Sequence, residues 1–146
     1  MSKLVPLISS GVAGPLGVLH LPRFWCKVVL NAKGKLADGY PECGAGYDQM
    51  VLDALGLDRE ATLGYLHENV PTYTEFESWV LKQSGGSLDQ SAVDELNSAI
   101  LGYNHDDETR QSILSASGIG DDGSILDAVN LNNLDDWYEF HVSLAG

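Results

Sequence analysis

Apolar residues recur along the chain at the three- and four-residue spacing of helices, not in the strict alternation of strands. Leu21, Phe24, Trp25, Val28 and Val29 fall at i, i+3, i+4, i+7 and i+8, which predicts a first helix with Pro22 in its opening turn and an end near Gly34. Met50, Val51, Leu52 and Leu55 form a second apolar set closed by Gly56, and Asp58 then caps a helix carrying Leu63 and Leu66. Thr74-Glu75-Phe76-Glu77 reads as a capping box ahead of Trp79 and Val80, in a helix that Gly85-Gly86-Ser87 closes. From Asp89, the set Val93, Leu96 and Ile100 predicts a further helix stopping between Gly102 and Asn104. His105-Asp106-Asp107 opens another, with Ile113 and Leu114 on its apolar side, Gly118 at its end and acids in its first turn, where the helix dipole favours them. The turn-prone Asn130, Asn132 and Asn133 divide the tail into two short helices, Ile125 to Val129 and Leu134 to Val142.

The expectation is an all-α fold, a compact single-domain bundle of about six to eight short helices spanning the whole chain. At 146 residues such a domain buries enough surface to fold without a disulfide or a metal. No apolar run is long enough to cross a bilayer, and Gly11, Gly14, Pro15 and Gly17 break up the first stretch, so it has no signal-peptide core. A cytoplasmic protein is therefore expected. Trp25, Trp79, Trp137 and the six tyrosines are assigned mostly to the core.

The net charge of −13 changes the picture through its placement. Residues 1 to 40 hold Lys3, Arg23, Lys27, Lys33 and Lys35 against Asp38 alone, whereas residues 83 to 146 hold twelve acids against Arg110 alone. An acidic half repels phosphate backbones, and the basic segment is too sparse for a nucleic-acid patch, so neither nucleic acid nor an anionic membrane is an expected partner. A solvated acidic surface that keeps the protein in solution accounts for the excess by itself.

Most motifs that carry chemistry are incomplete. Cys43-Gly44-Ala45-Gly46 starts like a dinucleotide loop, but Gln49 stands at the third glycine position and no strand precedes it. No phosphate-binding loop, H-E-x-x-H or G-x-S-x-G occurs, Asp121-Asp122-Gly123 reads as a turn, and no cofactor is expected. Cys26 and Cys43 lack the spacing of a zinc site, and the adjacent His105, Asp106 and Asp107 do not face one point, so no metal is expected either. Both cysteines read as free thiols; cations beside Cys26 favour its thiolate, while packing makes it inert.

What remains is a polar stripe on the first helix. Arg23, Lys27 and Asn31 share one side, and His20 precedes them on the same side. Such a stripe suits a carboxylate or phosphate, with Arg23 making two parallel contacts and His20 able to move a proton near neutral pH. It suits equally well a solvated face that balances the acidic half.

The run Gly17-Val18-Leu19-His20-Leu21-Pro22-Arg23, then Lys27, Gly34-Lys35-Leu36, Tyr40, and Asp48 with Leu55-Gly56-Leu57, resembles the DUF5069 family, a bacterial domain of unknown function. The resemblance extends to the Asn-rich, Asp-Trp-bearing end. It brings no reaction, but it draws His20, Arg23, Tyr40 and Asp48 together as a set. Cys26 departs from the acidic residue frequent there, which sets any shared chemistry at that position apart.

Two readings of the set stand side by side. In one it is structural: His20 bridges helices, Arg23 and Asp48 form an ion pair, and Tyr40 buries its ring while its hydroxyl finds a carbonyl. In the other it is the site of a small cofactor-independent enzyme, a lyase, isomerase or cyclase acting on a small anionic molecule. There Arg23 and Lys27 hold the anion, His20 and Asp48 serve as general acid and base, Tyr40 donates a proton, and Trp25 and Tyr47 line a partly apolar pocket. The alternative is a non-catalytic accessory or inhibitor whose acidic half binds a basic protein partner without a pocket.

Overall fold

The computed structural model describes residues 3–145. Its elements are α1 (Leu21–Ala32), α2 (Tyr47–Leu55), α3 (Arg59–Asn69), α4 (Tyr73–Gln83), α5 (Gln90–Gly102), α6 (Asp107–Ser117) and α7 (Ala128–Ala145), with no strand among the described residues. The all-α bundle expected from the apolar periodicity is the fold observed.

α1 is the central element. It packs against α2, α3 and α4, while α5 lies on α2. Leu21, Phe24 and Val28 on α1 meet Val51 and Leu52 of α2, Leu66 of α3, Phe76 and Val80 of α4 and Ile100 of α5, all fully buried. α6 and α7 pack chiefly on each other, and α7 also reaches α5. Their shared interior holds Leu114, Ala128 and Leu131, and Val129 joins the pair to the main core.

Local chemistry explains most boundaries. Asp58, Asp89 and Asp106 accept backbone amides at the starts of α3, α5 and α6, and Gly56 and Gly118 end α2 and α6 in left-handed conformations that cost glycine little. The capping box lies two residues earlier than the sequence suggests. Thr72 and Glu75 satisfy each other's amides, with Thr72 extended at the turn into α4. The tail is one helix, not two. Asp127 caps it by accepting the amide of Asn130, and packing against α6 outweighs the modest helix cost of the asparagines.

The segment before α1 is pinned without regular structure. Leu4 pairs with Leu36 beyond the end of α1, and Leu19 with Ala13. At Gly14 an added Cβ would lie 2.4 Å from the Tyr73 ring and 2.8 Å from a carboxylate oxygen of Glu77, so only glycine lets the segment approach α4 this closely. Of the tryptophans, Trp25 and Trp79 pack on the core as expected, whereas Trp137 is 59% exposed.

Removing the capping hydroxyl in Thr72→Ala should lower stability by about 1 kcal/mol, read as a fall in urea midpoint with unchanged slope. An unchanged midpoint would mean that this box does not hold α4.

Candidate functional site

α1 begins in an unusual way. His20 precedes it with φ of 70°, a left-handed backbone that a non-glycine residue adopts only when its surroundings hold it there. Its side chain caps no helix amide. Instead, the ring lies between Ser10 Oγ, 2.8 Å from Nδ1, and Asp48 Oδ1, 2.6 Å from Nε2. The left-handed turn swings the imidazole away from its own helix and towards α2.

Of the polar stripe of α1 only Asn31 is exposed: His20, Arg23 and Lys27, with Asp48 of α2, are between 2% and 6% exposed. Lys27 Nζ donates to Asp48 Oδ2 at 2.5 Å, and the Gly44 amide donates to the same oxygen at 2.7 Å. Arg23 pairs with Asp136 of α7, its two terminal nitrogens donating to the two carboxylate oxygens at 2.6 and 3.1 Å. The same guanidinium donates to the carbonyls of Pro6 and Ile8. The pairing therefore differs from the Arg23–Asp48 ion pair that the sequence allows. Each cation takes a different acid, because Lys27 lies one turn further along α1, over Asp48. Tyr40 donates its hydroxyl to Asp136 Oδ1 at 3.0 Å, so it finds a carboxylate and not a carbonyl.

These contacts set the protonation states. Burial alone would raise the Asp48 carboxyl, but the His20 hydrogen bond and the Lys27 charge outweigh it and hold the group at about 2. Burial lowers His20 below its ordinary value against the pull of Asp48, so the imidazole is neutral. With Asp48 ionised, Nε2–H donates to it and Ser10 donates to Nδ1. Ser10 is 1% exposed and does not line the cavity, so its hydroxyl orients the ring and is not available as a nucleophile.

Beside this network opens a half-enclosed cavity of about 320 Å³. Of the side chains singled out by sequence, His20, Arg23, Lys27, Tyr40, Tyr47 and Asp48 all line it. Trp25 does not: its ring packs edge-on against Tyr73 and its Nε1 donates to the Pro71 carbonyl. Cys26 is also apart, its thiol pushed up by burial despite Arg23.

Sequence reasoning missed the opposite wall, made of Tyr103, His105, Asn132 and Asp135. His105 donates Nε2–H to Asn132 Oδ1 at 2.8 Å, and its Nδ1 has no partner among the described residues. Asp135 makes no hydrogen bond or ion pair to any described residue, and burial, followed by the charges of Asp136 and Glu139, raises its carboxyl. Ala128, Asn132 and Asp135 follow one another at i, i+4 and i+7, the signal of a single face. Dividing the tail at its asparagines hid it.

No family model matches the chain, and no curated protein matches it.

Acidification should destabilise the protein in two stages. His20 titrates lower in the fold than in the unfolded chain, so its contribution is complete above pH 6.5 and declines as the pH falls below it. The Asp48 contribution is complete above 3.8 and is lost as the pH falls towards about 2. Urea midpoints measured across this range should show both stages, and His20→Gln should abolish the first. A first stage that persists in this variant would assign it to another group.

Proposed function

We propose that the protein is a small cofactor-independent enzyme that carries out proton-transfer chemistry, of the lyase, isomerase or cyclase type, on a small molecule held in the α1–α7 cavity. The observation that carries this reading is the contrast between the two walls. One wall is a buried network in which His20 and Asp48 are fully bonded, and the other offers a half-buried carboxyl and an imidazole nitrogen with nothing to bond among the described residues. A carboxyl raised by burial and by the charges of Asp136 and Glu139 holds a proton more readily than an exposed one, and the His105 imidazole lines the same cavity.

In this reading Asp135 and His105 move the proton. His20, Asp48, Lys27 and Arg23 form the rigid floor. The floor has no proton to spare: Asp48 is held too low to act as a base, and both His20 nitrogens are already bonded. Lys27 faces the cavity and has donors left for a ligand anion. The positions that resemble the DUF5069 family, His20, Arg23, Tyr40 and Asp48, all border this one cavity, which supports reading them as parts of one site.

Incubating the protein with a metabolite extract, followed by mass spectrometry, should reveal a molecule consumed by the wild type but not by Asp135→Asn or His105→Gln, both folded by circular dichroism. The loss expected for removing a general acid or base is about 100- to 10,000-fold. Turnover that survives both substitutions would exclude them as the proton carriers.

A second reading, an acidic module for a basic protein partner, is favoured by one observation. Trp137, Phe140 and Leu144 are 59%, 42% and 67% exposed and share a side of α7 within the acidic half of the chain. It predicts a complex with a basic amphipathic partner that weakens when salt shortens the screening length from about 10 Å to about 3 Å, and that Trp137→Ala disrupts. A complex indifferent to both changes would exclude this surface.

A further inference from the structure

The hydrogen-bonding capacity around the cavity is nearly spent, and what is left is of two opposite kinds. His20 uses both ring nitrogens, and Asp48 accepts on both oxygens. The hydroxyls of Tyr40 and Tyr47 donate to Asp136 and to the Ile100 carbonyl. Lys27 places one ammonium hydrogen on Asp48 and has no other partner among the described residues. Across the cavity, the Asp135 carboxyl and His105 Nδ1 are unspent in the same sense. The α1 wall thus offers the cationic donor of Lys27, and the other wall offers the acceptors Asp135 and His105 Nδ1 beside the neutral Asn132 amide and Tyr103 hydroxyl.

From this division we propose that the ligand is bipolar, a small aminocarboxylate whose anionic end takes the free hydrogens of Lys27 and whose ammonium end donates to Asp135 and His105 Nδ1. The inference rests on the cavity's being the functional site and adds the class of molecule it takes.

Charge balance points the same way. Arg23 and Lys27 are already matched by Asp136 and Asp48, so the cavity carries no positive excess to draw in a simple anion, and an ionised Asp135 would oppose one. A simple amine would satisfy Asp135 but leave the buried Lys27 donors unbonded, a cost that a carboxylate removes. A zwitterion adds no net charge. Its ammonium would also pair directly with the Asp135 carboxylate. The rings of Tyr40, Tyr47 and Tyr103 line the space between the walls, where they can cover the ligand's carbon chain and favour a cation beside it.

The test is isothermal titration of the full chain with short ω-aminocarboxylates of increasing length, each compared with the alkylamine and the alkanoate of the same length. At least one aminocarboxylate should bind about tenfold or more tightly than both of its truncated partners, as expected when a charge-assisted hydrogen bond is lost at either end. Asp135→Asn should cut that affinity about tenfold or more without weakening binding of the alkanoate, whose carboxylate no longer meets the Asp135 charge. Because Asp135 bonds to no other described residue, this variant should keep the wild-type circular dichroism spectrum. Equal binding of a truncated probe, no binding of any probe, or an aminocarboxylate affinity indifferent to Asp135→Asn would overturn the proposal. The enzyme reading fails separately: aminocarboxylate binding with no metabolite turnover would remove the chemistry and keep the ligand class, and turnover with equal binding of truncated probes would do the reverse.

Discussion

Burying Arg23 and Lys27 on one side of α1 is the constraint to which the rest of the molecule answers. A charge taken out of water costs several kcal/mol unless an opposite charge and further hydrogen bonds meet it. Each cation therefore needs a carboxylate delivered by another element. α2 supplies Asp48 to Lys27, and α7 supplies Asp136 to Arg23. The Gly44 amide, the Tyr40 hydroxyl and the Pro6 and Ile8 carbonyls complete the two shells. The apolar face of the same helix organises the core, so one twelve-residue element orders both the interior and the polar network.

The left-handed His20 belongs to the same logic. Helix starts usually take a side chain that bonds the first free amides, and His20 does not. It gives up that role to bridge Ser10 and Asp48, and the surrounding contacts hold a backbone conformation that the residue would not choose by itself. A wall built this way is rigid and electrostatically complete. Within it neither His20 nor Asp48 has a bonding position left from which to exchange a proton.

Helix positions were legible where periodicity and caps agreed. Asp58, Asp89, Gly56 and Gly118 marked boundaries that the fold keeps. The first helix could be read both for its apolar face and for the polar residues opposite it. Burial of that polar face was not legible, because helical spacing shows which side chains share a face but not what covers it. The partner of Arg23 lies 113 residues away, and no local signal pairs it with Asp136 over Asp48. Asp135 and His105 were hidden for a different reason: asparagines that favour turns in isolation are tolerated in α7, where packing on α6 decides.

The Arg23 guanidinium ties the carbonyls of Pro6 and Ile8, near one end of the chain, to Asp136, near the other. Closing so long a loop is entropically expensive, and the contact gains little until α1 and the α6–α7 pair are both in place. Once made, the tie couples the segment around Pro6 and Ile8 to α7: neither can loosen without leaving a buried cation partly unbonded, so local opening of one carries an energetic cost felt at the other.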